Sequence, residues 1–258
     1  MIAALISRKG GVGKTTSAVN LAAALAEAGR RALLVDLDSQ ASASVSLGVE
    51  RGALAPSSAD VLLNGMPAEQ AIRATAIPGL DLITASVDLI QADADLGNFR
   101  GREVRLRNAL APIVPAYDFI LIDCPSSLSL LPINAVVASQ GFIVPVVPQF
   151  LAAAGVKNLI AAAERIAWDA GFRVLPLGVL LTLVDYRTKA TRQTVDALRA
   201  EYGKLVFAIE IRVNTRLAEA PAHGQAIFQY DARAKGAEAY RLLAAELLLR
   251  SAEVERAG

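Results

Sequence analysis

The chain of 258 residues has one cysteine, one histidine and one tryptophan. A lone Cys124 cannot close an internal disulfide or supply a structural zinc cluster, and it suits a reducing cytoplasm. The single histidine, His223, lies in a Pro-Ala-His-Gly stretch and reads as a surface loop residue rather than a general base. Aromatics are only 5% while hydrophobic residues reach 54%. Disorder is therefore excluded, and the interior must be built from Ala, Leu, Val and Ile. Excess charge of either sign is also lacking: 26 Lys plus Arg face 25 Asp plus Glu, for a net charge of +1. No long-range field favours nucleic acid, so any such site must be a local patch. Long apolar runs are missing too. The stretch 141–156 is broken by Pro145, Pro148 and Gln149 and falls short of the roughly 20 residues a membrane helix needs. Residues 2–6 are too short for a signal-peptide core, and Arg8 and Lys9 follow them instead of preceding them. Neither a membrane anchor nor export is expected.

What is present is alternation. Short apolar runs at 2–7, 31–37, 80–85, 117–123, 141–147, 174–184 and 205–211 suit strands covered on both faces, as in a mostly parallel sheet. Between them lie helical patterns at 14–28, 103–110, 129–139, 152–170, 191–202 and 236–250, followed by a mixed, mostly polar tail. This predicts a doubly wound α/β fold with helices on both faces of the sheet, as a single domain over 1–258. Residues 49–101 carry Pro56, Pro67 and Pro78 and are the least regular. Trp168, on a helix, is expected in the core or an interface.

The stretch SRKGGVGKTT, 7–16, directly follows the first apolar run and opens the first amphipathic helix. A phosphate loop needs that context, because the N–H groups of a glycine turn and of a helix N-terminus converge there on an anion. Gly10, Gly11, Val12 and Gly13 would wrap the phosphates. Lys14 would reach the β- and γ-phosphates, and the Thr15 hydroxyl, with Thr16 beside it, would face Mg²⁺. The strict pattern fails at its first glycine, where Arg8 stands, and a second lysine, Lys9, sits inside the loop. Two ammonium groups so close repel each other. Lys9 is then either a solvated surface lysine or a residue reaching the nucleotide of a second subunit.

Asp123 ends the apolar run FILID, where a carboxylate can hold a metal's hydration shell. Asp36 and Asp38, two apart in VDLDSQ, share one face of an extended segment. They are expected to face the γ-phosphate, with Asp38 the better placed to orient an attacking water.

Together these residues resemble the ParA family of partition ATPases, in the group that also contains the MinD cell-division regulators. The deviant Walker A loop KGGVGKTT, VDLDSQ and FILIDCPSSLSLLPINA match in order and spacing. The segments GVLLTLVDYRTKATRQTVDAL and NTRLAEAPAHGQAIFQYDARAKGAEAYRLLAAELL narrow the resemblance to the chromosomal, Soj-like type. The resemblance implies ATP and Mg²⁺ as cofactors and an ATP-dependent homodimer, with Lys9 crossing to the partner's phosphates and Asp38 serving hydrolysis. It also implies non-specific double-stranded DNA binding through Arg187 and Arg216, adenine contacts at Arg212, Val213 and Asn214, and slow hydrolysis stimulated by a ParB-like partner on the nucleoid. Ser126 and Gln149 stand where the family commonly has Pro and Glu. With the loop starting so early, no preceding helix-turn-helix is expected, and the tail gives no basic amphipathic anchor. Two alternatives remain: a ParA-like ATPase positioning a protein cargo, such as a chemoreceptor cluster or microcompartment, and a metabolic P-loop enzyme.

Overall fold

The computed structural model describes residues 1–97, 99–127, 129–149 and 152–257. Seven strands form one sheet: β1 (Ile2–Leu5), β2 (Ala32–Asp36), β3 (Ile72–Ala74), β4 (Leu80–Ile83), β5 (Phe119–Asp123), β6 (Gly141–Val146) and β7 (Leu175–Leu181), in the order β3-β4-β2-β5-β1-β6-β7. Every pairing is parallel except β3 with β4. Alternating side chains of the central strands feed two apolar layers. Ile2, Leu33, Ile120 and Phe142 pack on one side, and Ala3, Leu34, Leu121 and Ile143 on the other.

The helix Lys14–Glu27 lies on the second side against the C-terminal helix Lys235–Ala257. Its Ala-rich sequence lets the two approach closely, and the buried Ser17 hydroxyl meets the Tyr240 hydroxyl at 3.1 Å between them. On the opposite side pack Arg105–Leu110, Leu130–Ala138, Ala152–Asp169 and Lys189–Tyr202.

Three expectations need correction. The run 205–211 is not a regular strand: only Val206 and Arg212 bridge toward the β7 side. The N–H groups of Phe207 and Ile211 do bond Val179 and Leu181 in β7. The intervening N–H groups of Ala208 and Ile209 turn away to the Glu246 carboxylate, at 2.9 and 3.2 Å, and this breaks the ladder. The polar tail is helical, since the last helix runs on to Ala257. Trp168 is 77% exposed, which excludes the core placement and leaves the interface one. The short antiparallel β3, with no buried residue of its own, was not signalled by any apolar run.

Candidate nucleotide and metal site

The topology places the ends of β1, β2 and β5 side by side at the carboxyl edge of the sheet, with Asp36 and Asp123 in register as neighbours. From β1 the chain turns through the glycine loop. Gly11 and Gly13 have φ of 72° and 75°, a left-handed conformation that only glycine adopts cheaply. A Cβ built on Gly10 or Gly11 would meet nothing within 4 Å among the described residues, so the loop is open at these two positions. The loop is pinned from behind, because the buried Thr182 hydroxyl just past β7 donates to the Val12 carbonyl at 2.7 Å. No side chain among the described residues caps the helix that starts at Lys14, so the N–H groups at its start are suited to an anion.

Lys14 is only 6% exposed, and its ammonium donates to Oδ1 of the fully buried Asp123 at 2.9 Å. Burial disfavours the Lys14 charge, yet Asp123 outweighs it and raises the pKa, so the ammonium stays protonated. Complete burial likewise raises the Asp123 carboxyl, against the opposing pull of Lys14 and the adjacent Thr15 hydroxyl. The other oxygen, Asp123 Oδ2, is buried with no hydrogen-bond partner among the described residues. An orphaned carboxylate oxygen beside a threonine hydroxyl fits a hard, oxygen-seeking cation such as Mg²⁺. Cys124, next in sequence, is fully buried, and burial pushes its thiol up.

Asp36 does not share the placement expected for it with Asp38. It is fully buried, and its oxygens accept from the Asp38 N–H at 3.1 Å, the Ser44 N–H at 2.9 Å and the Ser44 hydroxyl at 2.7 Å. Burial and the neighbouring Asp123 push it up to about 7. Both Asp36 oxygens are thus engaged by its own loop. Asp38 is half-buried, with Oδ1 accepting from the Gln40 N–H at 3.0 Å.

Lys9 is exposed on the loop, and its ammonium donates to the Gln149 side-chain oxygen. Arg187 is 85% exposed and forms a forked pair with Asp185, which holds that carboxyl down at about 2. Arg216, 53% exposed, pairs with Glu219 at 3.0 Å and Asp231 at 3.6 Å. Arg212 bonds Glu210 and lies over the Tyr186 ring. Val213 is exposed, and the Asn214 side chain caps the helix Thr215–Glu219. Thr16 uses its carbonyl to accept from Asn20. The structure thus gathers Lys14, Thr15 and Asp123 behind the loop and leaves Lys9 on the surface. Thr182 and Ser44 escaped the sequence reading, because a polar residue inside LLTLV or ASASVS carries no local mark of its long-range partner.

A family model described as an AAA domain matches residues 1–170. The chain is 43% identical to the chromosome-partitioning ATPase Soj of Thermus thermophilus, covering 97% of this chain and 96% of that protein. It belongs to the Soj/ParA family of partition ATPases. Soj of Bacillus subtilis, named a sporulation initiation inhibitor, is 40% identical over 95% of this chain and 97% of its own length. Among solved structures, a Mycobacterium smegmatis protein titled cobyrinic acid a,c-diamide synthase, with bound ATP analogue and magnesium, is 35% identical. Its TM-score is 0.82, covering 96% of this chain and 93% of that one.

Proposed function

We propose that this protein is an ATP- and Mg²⁺-dependent partition ATPase. Its ATP-bound homodimer binds DNA without sequence preference and is released when a ParB-like partner stimulates slow hydrolysis. The observation that carries this reading is the buried Lys14–Asp123 pair behind an open glycine loop, in a chain about two-fifths identical to partition ATPases over nearly its whole length. Lys14 and the loop N–H groups would neutralise the β- and γ-phosphates. Thr15 and Asp123 would hold Mg²⁺, which when bound supplies charge neutralisation between those phosphates. Asp38 would orient the attacking water, and Lys9, exposed at the rim, would leave Gln149 for the phosphates of a second copy. The adenine would lie against 212–214, where Val213 offers exposed apolar surface next to backbone polar groups.

The identity to named partition proteins is higher than to the chain titled as an amide-forming enzyme, and this favours partition over a metabolic role. Asp38→Ala should bind ATP and dimerise but hydrolyse at least about tenfold more slowly, since only a water-orienting group is lost. Phosphate-release assays and DNA retention with ATP check this; wild-type turnover would remove Asp38 from the role.

A further inference from the structure

The two residues that hold the Asp38 loop have no role in phosphate or metal binding as read above. Among the described residues the Asp36 carboxylate receives three hydrogen bonds, all from the segment that follows it: the Asp38 N–H, the Ser44 N–H and the Ser44 hydroxyl. Both Asp36 and Ser44 are completely buried. The Ser44 oxygen also accepts from the Ala85 N–H at 3.2 Å, just past β4. One hydroxyl therefore ties the carboxylate at the end of β2 to the end of its neighbour in the sheet. Between the two anchors the chain bends at Ala41, whose φ of 51° is left-handed and costs a non-glycine residue conformational energy. A bend of that kind persists only where its surroundings enforce it, and the anchors at Asp36 and Ser44 do so. Asp38 stands inside this closed loop, its carboxylate accepting a single hydrogen bond among the described residues, from the Gln40 N–H.

We propose that Asp36 and Ser44 are positioning residues for hydrolysis, clamping the loop so that the Asp38 carboxylate is held at the distance an attacking water requires. This rests on the assignment of Asp38 given above. A misplacement of about 1 Å at such a group costs up to roughly a hundredfold in rate while leaving ground-state binding alone. Ser44→Ala removes one bond to Asp36 and the acceptor for Ala85 without touching the glycine loop.

The test compares wild type, Ser44→Ala, Asp38→Ala and the double variant. Turnover is measured alongside the affinity for a fluorescent ATP analogue and hydrogen exchange of the amides in 37–44 and 8–14. Ser44→Ala should lose about tenfold or more in kcat, with nucleotide affinity unchanged and exchange faster only in 37–44. The double variant should be no slower than Asp38→Ala, because the clamp acts through Asp38. Should Ser44→Ala fail to fold, Asp36→Asn, which turns one acceptor into a donor facing an N–H, takes its place with the same expected split. Wild-type kcat in the Ser44 or Asp36 variant, equal losses of kcat and affinity, or a further slowing in the double variant would overturn the proposal. If Asp38→Ala itself turns over normally, the assignment beneath the proposal fails instead.

Discussion

Lys9 and Lys14, five positions apart on one loop, occupy opposite environments, and their variants should separate accordingly. Lys14 is buried on Asp123, so Lys14→Ala removes the phosphate-facing ammonium and strands a buried carboxylate. Breaking such a pair costs about 3–5 kcal/mol, so the variant should show a lowered unfolding midpoint together with no detectable ATP binding. Lys9 is exposed and held by a neutral amide, so Lys9→Ala should keep both stability and ATP affinity. It should nonetheless elute as a monomer in size-exclusion chromatography with a non-hydrolysable ATP analogue; a normal dimer would refute the cross-subunit role. At this scale the sequence was legible wherever chemistry is local. The glycines and Lys14 announce themselves within ten residues, and Asp123 follows four apolar neighbours. Asp36 was legible as a strand-end carboxylate but not in its direction, because its partner Ser44 lies in a polar stretch that looks like any loop.

Among the elements, apolar runs located six of the strands and failed at 205–211, for a reason visible in one side chain. LVFAIEI has the composition of a buried strand, and the N–H groups of Phe207 and Ile211 do reach β7, but Glu246 on the last helix captures those of Ala208 and Ile209. Periodicity reports which face is apolar; it cannot report a carboxylate arriving from 37 residues away. The same Glu246 pairs with Arg250, whose guanidinium donates to the carbonyls of Leu177, Leu205 and Val206. Glu246→Ala should therefore lower stability by about 1–3 kcal/mol, the range for stranding hydrogen-bonding groups. Glu246→Gln, which keeps one acceptor, should lose less. Urea unfolding reads both, and unchanged midpoints would show that water replaces the carboxylate at no cost.

The molecule as a whole carries a net charge of only +1, so a monomer should hold DNA weakly. Affinity for a phosphate backbone grows with the number of phosphates neutralised and falls steeply with salt. Dimerisation doubles any patch. Arg187 and Arg216 are each engaged with carboxylates of their own chain, yet these pairs are solvent-exposed and screened, so phosphates can replace them. Arg187→Glu or Arg216→Glu should abolish DNA retention in ATP while leaving the unfolding midpoint, dimerisation and basal hydrolysis near wild type. Mobility shifts on unrelated sequences at several salt concentrations, in ATP and in ADP, test this. Equal retention in the two nucleotides, or dependence on one sequence, would defeat the reading.

If Lys14 and Asp123 serve ATP and Mg²⁺ as proposed, their contact would also make the two ligands thermodynamically interdependent. While the ammonium rests on the carboxylate, a divalent cation arriving alone meets a pair whose charges already cancel. A triphosphate that drew the ammonium to itself would leave the carboxylate's charge uncompensated and open to the cation. By reciprocity, each ligand then raises the other's affinity by the same factor. Calorimetric titration of the nucleotide-free protein with Mg²⁺ should show no binding, and Asp123→Asn should abolish the Mg²⁺-dependent gain in ATP affinity; tight Mg²⁺ binding to the nucleotide-free chain would contradict the coupling.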